Sequence, residues 1–282
     1  MKKGKIGVQM MMLKGKVAEN GAYQTMKKLH ELGFHSVEVS QIPMTPENVE
    51  EMRRASKDFS ITITSITAPP LDGDNENLED NFEKIVADCK RLDCQFIRIG
   101  MLPVTIMGDK DKIMDYISRA EKMAQRLHSE GISLYYHTHH IEFERYDGKF
   151  LLDIMKENTS LLGFELDVHW IHRAGVDPVQ LIREYKGRVA LIHLKDYRIG
   201  NLGLTAEDLQ DRSKFHNKFI NLIEFAEVGE GNLNMPAIIE ASLEAGAEQF
   251  LIEQDDTYGR DPFDCLHDSA ENLRKMGYAD WF

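Results

Sequence analysis

The stretch from Tyr135 to Phe143 begins like a strand and ends in three imidazoles and a carboxylate. His137 and His139 are two residues apart, and strand residues of equal parity face the same side of a sheet. Two histidines that face the same way at the end of a strand form half of a metal site or a general-base pair. Three further residues near the ends of later apolar runs could complete it: Asp167, His193 and Glu253.

These residue types favour a divalent ion such as Mn, Co, Zn or Mg, because imidazoles and carboxylates are its usual ligands. Thiolates are absent from the set, so a structural zinc site is not expected. Such an ion can bind two adjacent oxygens of a sugar and polarise a carbonyl. A neighbouring base can then move the proton on the adjacent carbon. The pattern predicts one divalent metal ion and a small-molecule sugar or cyclitol as substrate.

The elements that must position these residues alternate between strand and helix along the whole chain. Predicted strands cover 6–10, 36–40, 61–68, 96–101, the histidine stretch from 134, 161–168, 189–194 and 250–252. Predicted helices cover 23–32, 46–59, 78–93, 110–131, 150–158, 178–187, 235–245 and 262–276. Three helices begin with a capping residue followed by proline, at Thr45-Pro46, Asp177-Pro178 and Asp261-Pro262.

Eight strand–helix units in about 250 residues predict an α/β fold, a single (β/α)8 TIM barrel over residues 1–282. A doubly wound sheet is the alternative, and the lack of a glycine-rich turn after the first strand weakens it. Barrel enzymes carry their active sites at the carboxyl ends of the strands, where the histidines and carboxylates above fall. Residues 198–227 form an irregular, charged segment that is too long for an ordinary connection, so a functional or lid insertion is expected there.

Composition excludes several classes of function. The chain has 47 acidic and 34 basic residues, and its formal net charge of -13 disfavours binding to nucleic acid or to an anionic membrane surface. No window approaches 18 consecutive apolar residues, so no membrane span is predicted. Three cysteines without CxxC spacing fit a reducing compartment, and the basic N-terminus lacks the features of a signal peptide. A cytoplasmic protein is expected.

Two other stretches receive plain structural interpretations. Pro69-Pro70 should end the third strand, because proline cannot donate to a strand ladder. The acidic stretch 71–80 lacks a full EF-hand pattern, and a solvated loop before a helix is expected there.

Five sequence runs together resemble a known family: YHTHHIEF, ELDVHW with AGVDP, GRVALIHLKD, EVGEGNLNM and FLIEQDD. They resemble the sugar phosphate isomerase/epimerase family of xylose-isomerase-like TIM barrels, and most closely its inosose-dehydratase-like members. The resemblance extends over residues 5–277. It implies an isomerase or epimerase acting on a keto-sugar or related polyol, with a dehydratase or lyase of the same family as the alternative.

The resemblance also assigns the metal ligands. It implies that Asp167, His193 and Glu253 are three of them. The fourth ligand of the family is usually a glutamate at the end of the fifth strand, where this chain has His137. Either His137 replaces that glutamate, or Glu142 folds back into the site from the loop.

Catalytic and substrate-binding roles follow from the same resemblance. His139 matches a position that contacts substrate or serves as base, and Glu253 matches a glutamate that also exchanges a proton. Lys195 could stabilise an enolate oxygen, although an ion pair with Asp196 or another acid explains it equally well. Three residues are interpreted as substrate-binding, with solvated or packing roles as alternatives: His169, Trp170 and Arg198.

Two other functions are weighed against this interpretation. An apurinic endonuclease, which is a branch of the same family, would need a basic groove for DNA, and the net charge of -13 argues against it. A non-catalytic sugar-binding barrel would keep the pocket without the chemistry. The resemblance also raises homo-oligomer formation as a prediction, since dimers and tetramers occur among relatives.

Overall fold

The structure, a computed structural model, describes residues 3–68, 71 and 77–282. Eight parallel strands close into a barrel in which neighbours in the chain are neighbours in the sheet. The strands are β1 (Lys5–Gln9), β2 (Ser36–Val39), β3 (Thr62–Ala68), β4 (Phe96–Ile99), β5 (Ser133–His137), β6 (Gly163–Asp167), β7 (Leu191–Leu194) and β8 (Gln249–Ile252). The predicted single (β/α)8 TIM barrel is confirmed.

Helices surround this barrel and, apart from two short ones between residues 199 and 223, bury apolar residues against it. They are α1 (Lys14–Glu31), α2 (Pro46–Phe59), α3 (Phe82–Leu92), α4 (Lys110–Ser129), α5 (Leu151–Glu157), α6 (Val168–Arg173), α7 (Pro178–Glu184), α8 (Ala206–Gln210), α9 (Arg212–Ile220), α10 (Met235–Ala245) and α11 (Pro262–Leu273). The three predicted capping residues, Thr45, Asp177 and Asp261, each accept a backbone N–H from the first turn of their helix. These predicted helix starts are therefore confirmed.

The first helix begins earlier than the sequence predicts. A short 3-10 turn (Met10–Leu13) follows β1, and α1 starts at Lys14 instead of residue 23. Gly21 interrupts α1 with φ 82° and ψ 160°, a conformation that glycine adopts without strain. The predicted helix corresponds to the regular part after this kink.

The interior of the barrel is polar where it approaches the site. On β2, Val37 and Val39 alternate with Ser36 and Glu38, as expected for a strand with one face toward the helices and one toward the barrel axis. The Ser36 and Thr64 hydroxyls are hydrogen-bonded at 2.6 Å. Because water is scarce in a barrel interior, each inward polar side chain needs a protein partner or a ligand.

The segment predicted to be irregular contains regular structure. Residues 196–226, which we call the arm, form an antiparallel hairpin of Asp196–Ile199 with Ile223–Ala226, and α8 and α9 lie between the two strands. Backbone N–H groups of Gly229, Gly231 and Leu233 donate to the Asp196 carboxylate, which ties the base of the arm to the loop that follows.

The remaining sequence predictions have separate outcomes. Pro69-Pro70 and half of the acidic stretch, residues 72–76, lie outside the described residues. Among the helices of the described ranges, none has the length and apolar character needed to cross a bilayer. The three cysteines are free thiols. The cytoplasmic location and homo-oligomer formation stay predictions.

Gly7 tests the close approach of β1 and β2. A Cβ at this position would lie 2.6 Å from the backbone oxygen of Ser36, which cannot move without disturbing the sheet. We expect Gly7→Ala to lower the free energy of unfolding by about 1–3 kcal/mol, measured by urea denaturation. Gly15→Ala is the control, because no atom lies within 4 Å of that Cβ. Equal stability of the two variants would contradict the strand packing described here.

Candidate metal centre and active-site cleft

Four side chains converge at the carboxyl ends of β5 to β8: His137, Asp167, His193 and Glu253. One ligand atom from each lies within 4.8 Å of the others, and all four residues are buried. His193 Nδ1 lies 2.6 Å from Glu253 Oε2 and 3.0 Å from His137 Nε2. Barrel closure therefore assembles two imidazoles and two carboxylates around one point.

One oxygen of Asp167 accepts no hydrogen bond from the described residues, which supports the fit of this set to a cation. Asp167 Oδ1 accepts the backbone N–H groups of His169 and Trp170 and so caps α6. Asp167 Oδ2 is buried without a hydrogen-bond partner among the described residues, 3.6 Å from His137 Nε2 and 3.8 Å from His193 Nδ1. A buried carboxylate oxygen is costly unless it is paired, and a divalent ion held by nitrogen and oxygen ligands would pair it.

Protonation of His193 competes with such an ion. Burial acts to lower the pKa of His193, but the charges of Glu165 and Glu253 outweigh it and raise this pKa well above its ordinary value. An imidazole nitrogen must lose its proton before it can bind a metal, so metal binding would release a proton here.

Glu142, the alternative fourth ligand, lies apart from the cluster. Its Oε1 accepts the Tyr136 hydroxyl at 2.6 Å, and its Oε2 accepts the backbone N–H of His139 at 2.7 Å. Both oxygens therefore hold the loop after β5 in place. Of the two alternatives that the sequence left open, the structure places His137 with Asp167, His193 and Glu253, and it does not bring Glu142 to them.

Lys195 contacts the acids of the site and not Asp196. Its Nζ lies 3.4 Å from Asp167 Oδ2, 3.2 Å from Glu253 Oε2 and 2.7 Å from Asp255 Oδ1. Burial opposes its charge, but the Asp167 and Glu253 carboxylates raise the pKa of Lys195 above its ordinary value. An ammonium that remains charged beside the metal cluster can stabilise negative charge on a substrate oxygen.

A second buried network lies around the other nitrogen of His193. Its Nε2 is 3.1 Å from Glu38 Oε1 and 3.2 Å from Glu165 Oε1. The guanidinium of Arg98 lies between these acids, with Nε 2.8 Å from Glu38 Oε1 and Nη1 3.4 Å from Glu165 Oε2. These carboxylates could also form a metal site, but Arg98 already supplies the cation. The network instead fixes the ring of His193, as groups around metal-binding histidines commonly do.

The two glutamates of this network have opposite pKa shifts. Burial acts against ionisation of Glu38, but the charges of Arg98 and His193 lower its pKa to about 2. Burial, with the Glu38 charge adding to it, raises the pKa of Glu165 to about 7. Arg98 therefore compensates mainly Glu38, which explains why a single guanidinium can lie among two buried acids.

A cleft of about 430 Å³ opens above these four side chains at the ends of β5 to β8, within the size range of small-molecule sites. His137, His139, Lys195, Glu253 and Asp255 line it on the side of β5 to β8. Burial and the neighbouring His137 lower the pKa of His139 to about 2, so its imidazole is neutral near pH 7. The Nδ1 of His139 is buried without a hydrogen-bond partner among the described residues. This imidazole is therefore free to accept a hydrogen bond or a proton.

Comparison with known proteins agrees with the barrel fold. The sequence profile of the xylose isomerase-like TIM barrel family matches residues 26–279. The chain belongs to this family. Among the curated proteins, none matches it in sequence.

Solved structures show the same family fold at low sequence identity. A sugar phosphate isomerase/epimerase from Parabacteroides distasonis ATCC 8503 is 18% identical with a TM-score of 0.76, over 98% of this chain and 99% of that chain. An L-ribulose 3-epimerase is 14% identical with a TM-score of 0.68, over 99% and 95%. The probable 3-DHS dehydratase involved in petrobactin synthesis from Bacillus anthracis is 16% identical with a TM-score of 0.67, over 96% and 98%. The finer prediction, a nearness to inosose-dehydratase-like members of the family, stays a prediction.

Three residues predicted to bind substrate do not line the cleft. His169 is buried among the rings of Trp170, Tyr197 and Phe225. Trp170 stacks on His140 with 4.9 Å between ring centroids, and the Lys195 ammonium lies 5.1 Å from its ring. Both residues therefore support the site from behind in this structure.

Arg198 lies at the base of the arm in a group of acids. It is 39% exposed, 3.5 Å from Glu224 and 3.7 Å from Glu227. Its guanidinium is thus directed to acidic partners of the arm region and not to the lining of the cleft.

Sequence reasoning missed four buried polar residues of this family member: Gln9, Glu38, Arg98 and Glu165. Gln9 donates from Nε2 to Glu253 Oε1 at 2.7 Å and so orients one carboxylate of the cluster. A usable signal was present, since a charged residue at an alternate position of a short apolar strand, as in FIRI, must face the barrel axis. These residues were not predicted, because only the residues at strand ends were considered as site residues.

Arg98→Met tests the buried network. Removing the guanidinium leaves Glu38 and Glu165 buried without their cation, and we expect the free energy of unfolding to fall by about 3–5 kcal/mol in urea denaturation. Arg91→Met is the matched control, because Arg91 pairs with Glu50 at the surface at 2.7 Å, and it should cost about 1 kcal/mol or less. A loss at Arg98 no greater than that at Arg91 would show that the network does not stabilise the barrel.

Proposed function

We propose that this protein is a divalent-metal-dependent isomerase or epimerase that moves a proton next to the carbonyl of a keto-sugar or related polyol. The observation that carries the proposal is the convergence of His137, Asp167, His193 and Glu253 at the floor of an open cleft, where Asp167 Oδ2 is buried and accepts no hydrogen bond from the described residues. Membership of a family whose solved relatives include an epimerase and a dehydratase supports an enzyme.

The residues that would hold the ion are His137, Asp167, His193 and Glu253. When bound, Mn, Co, Zn or Mg would polarise the substrate carbonyl and make the neighbouring carbon-bound proton more acidic. Gln9 and the Glu38–Arg98–Glu165 network orient Glu253 and His193 from behind.

His139 is the stronger candidate for the base. It lines the cleft, is neutral near pH 7, and has an Nδ1 that no described residue binds. Glu253 is the second candidate, but Gln9, His193 and Lys195 all bind its oxygens. Those contacts already occupy the Glu253 oxygens, whereas the His139 Nδ1 has no partner among the described residues.

Lys195 would stabilise the oxyanion that develops when the proton leaves. Its ammonium lines the same cleft as His139 and is held by Asp167, Glu253 and Asp255. Return of the proton to the other face gives epimerisation, and its return to the neighbouring carbon gives isomerisation. Loss of a hydroxyl group from the next carbon gives dehydration, and the similarity to a probable dehydratase keeps that outcome as the alternative.

Metal binding is the first test, read by plasma mass spectrometry and by thermal unfolding. We expect about one equivalent of Mn, Co, Zn or Mg, and free ion at 100 times its Kd should add about 2.7 kcal/mol to the free energy of unfolding. Asp167→Ala and His137→Ala should weaken binding by about 100-fold or more. Glu142→Gln is the control that should retain the ion. Retention by His137→Ala together with loss by Glu142→Gln would reverse the assignment of the fourth ligand.

Exchange of the carbon-bound proton with solvent is the second test. In deuterium oxide, the metal-loaded protein should incorporate deuterium next to the carbonyl of a free ketose or an inosose, measured by mass spectrometry. His139→Ala should lower this rate by about 10²- to 10⁴-fold while metal content stays constant. His140→Ala is the matched control, since His140 stacks on Trp170 and does not line the cleft.

The same experiment separates the alternatives. A product that is lighter than the substrate by the mass of one water molecule would identify a dehydratase. Full exchange in His139→Ala would identify Glu253, and not His139, as the base. Metal and sugar binding without any exchange would identify a non-catalytic sugar-binding barrel.

A further inference from the structure

The cleft is rich in acids, and its two fixed cations are already used. Five carboxylates lie at or directly beneath it: Glu38, Glu165, Asp167, Glu253 and Asp255. Arg98 lies between Glu38 and Glu165, and it also donates to the Ser40 hydroxyl at 2.8 Å. Lys195 is held by the other three acids. Among the described lining residues, each cation therefore has an acidic partner. In the metal-loaded protein the Asp167 and Glu253 carboxylates would balance the two charges of the ion, so an anionic group of a substrate would still lie close to further acids.

Among the described residues that line the β1 to β4 side of the cleft, the bound guanidinium of Arg98 is the charged group, and Glu38 of β2 lies beneath the lining. The other described lining residues of this side are Gln9, Met11, Ser40, Gln41, Thr67, Gly100 and Met101. Amides and hydroxyls of this kind can both donate and accept hydrogen bonds, which matches the hydroxyl groups of a sugar. Thr67 Oγ1 is buried and has no hydrogen-bond partner among the described residues, so it can bind such a group.

One lysine lies near the cleft without lining it. Lys14 approaches from solvent, where its Nζ donates to Gln41 Oε1 at 2.7 Å, but it is exposed and does not line the cleft. If Lys14 bound an anionic group of the substrate, the inference would be wrong. Lys14→Gln therefore forms part of the experiment.

We propose that the β1 to β4 side of the cleft recognises an uncharged polyhydroxylated substrate, and that the site rejects the phosphorylated or carboxylated counterparts of the same sugar. The inference rests on the proposed function and specifies its substrate class. A phosphate carries a charge of about -1.5 to -2 near pH 7. Placing it among carboxylates without a free cation costs both desolvation and repulsion, which is how a site discriminates against a charged analogue.

The test compares each neutral sugar with its own phosphate ester on the metal-loaded protein. The pairs are D-fructose with D-fructose 6-phosphate, D-tagatose with D-tagatose 6-phosphate, and L-ribulose with L-ribulose 5-phosphate. scyllo-Inosose and 3-dehydroshikimate serve as a neutral and a carboxylated cyclic ketone. Binding is measured by calorimetry and exchange by deuterium incorporation. We expect the neutral member of a pair to bind about 100-fold more tightly than its ester.

A variant with an added positive charge at the rim of the cleft tests the same inference. Met101 lies at the rim of the cleft and is 42% exposed, so Met101→Arg adds a cation that no acid already occupies. It should raise the affinity for the phosphate ester relative to the neutral sugar by about tenfold. Met101→Gln changes the side chain without adding charge and should leave that ratio unchanged. Lys14→Gln should also leave it unchanged.

The outcomes separate this inference from the proposed function. Tighter binding of an ester, especially if Lys14→Gln abolished it, would overturn the neutral-substrate inference while deuterium exchange into that ester would uphold the proposed chemistry. Tighter binding of a neutral member without exchange would uphold the substrate class and count against the proposed reaction. No measurable binding of any neutral member would overturn the inference.

Discussion

Compensation of buried charge is the constraint on which the rest of this structure depends. Five carboxylates lie inside or at the mouth of a barrel that excludes most water, and such groups are costly unless they are paired. Two cations at different depths of the barrel compensate most of this negative charge. Arg98 compensates the acids within the barrel, and Lys195 compensates those at its mouth. One oxygen of Asp167 accepts no hydrogen bond from the described residues and lies beside two imidazoles and the Lys195 ammonium, which makes this group the candidate place for a divalent ion.

The barrel divides chemistry and recognition between its two halves. The ends of β5 to β8 supply the candidate metal ligands, the candidate base His139 and the ammonium of Lys195. The ends of β1 to β4 supply mainly neutral amides and hydroxyls. The arm joins the first group through Phe225, whose ring lies 5.6 Å from the Lys195 ammonium and whose backbone N–H donates to the Tyr258 hydroxyl. Aromatic rings thus shield the ammonium from solvent, which strengthens its electrostatic effect on neighbouring groups.

Much of the fold could be predicted because its causes are local. Alternation of apolar runs with helical patterns indicated eight repeating units, and capping residues followed by proline marked three helix starts correctly. The arm was predicted to be irregular because its hairpin strands are short and its two helices are only five and nine residues long. The strand-end pattern likewise selected His137, Asp167, His193 and Glu253 before any contact was known. His169 and Trp170 carried the same pattern, yet helix α6 directs them to packing contacts behind the site.

The sequence by itself determined the barrel, the end of the barrel that carries the site, and the chemical types available there. Only the tertiary structure placed His137, and not Glu142, beside Asp167, His193 and Glu253, because the Tyr136 hydroxyl and the His139 backbone N–H both bind the Glu142 carboxylate. Only the tertiary structure revealed that Glu38 lies 3.1 Å from His193, although 155 residues separate them. The physical reason is that a distance across a closed barrel depends on the stagger of all eight strands together, whereas strand parity and helix caps depend on a few neighbouring residues.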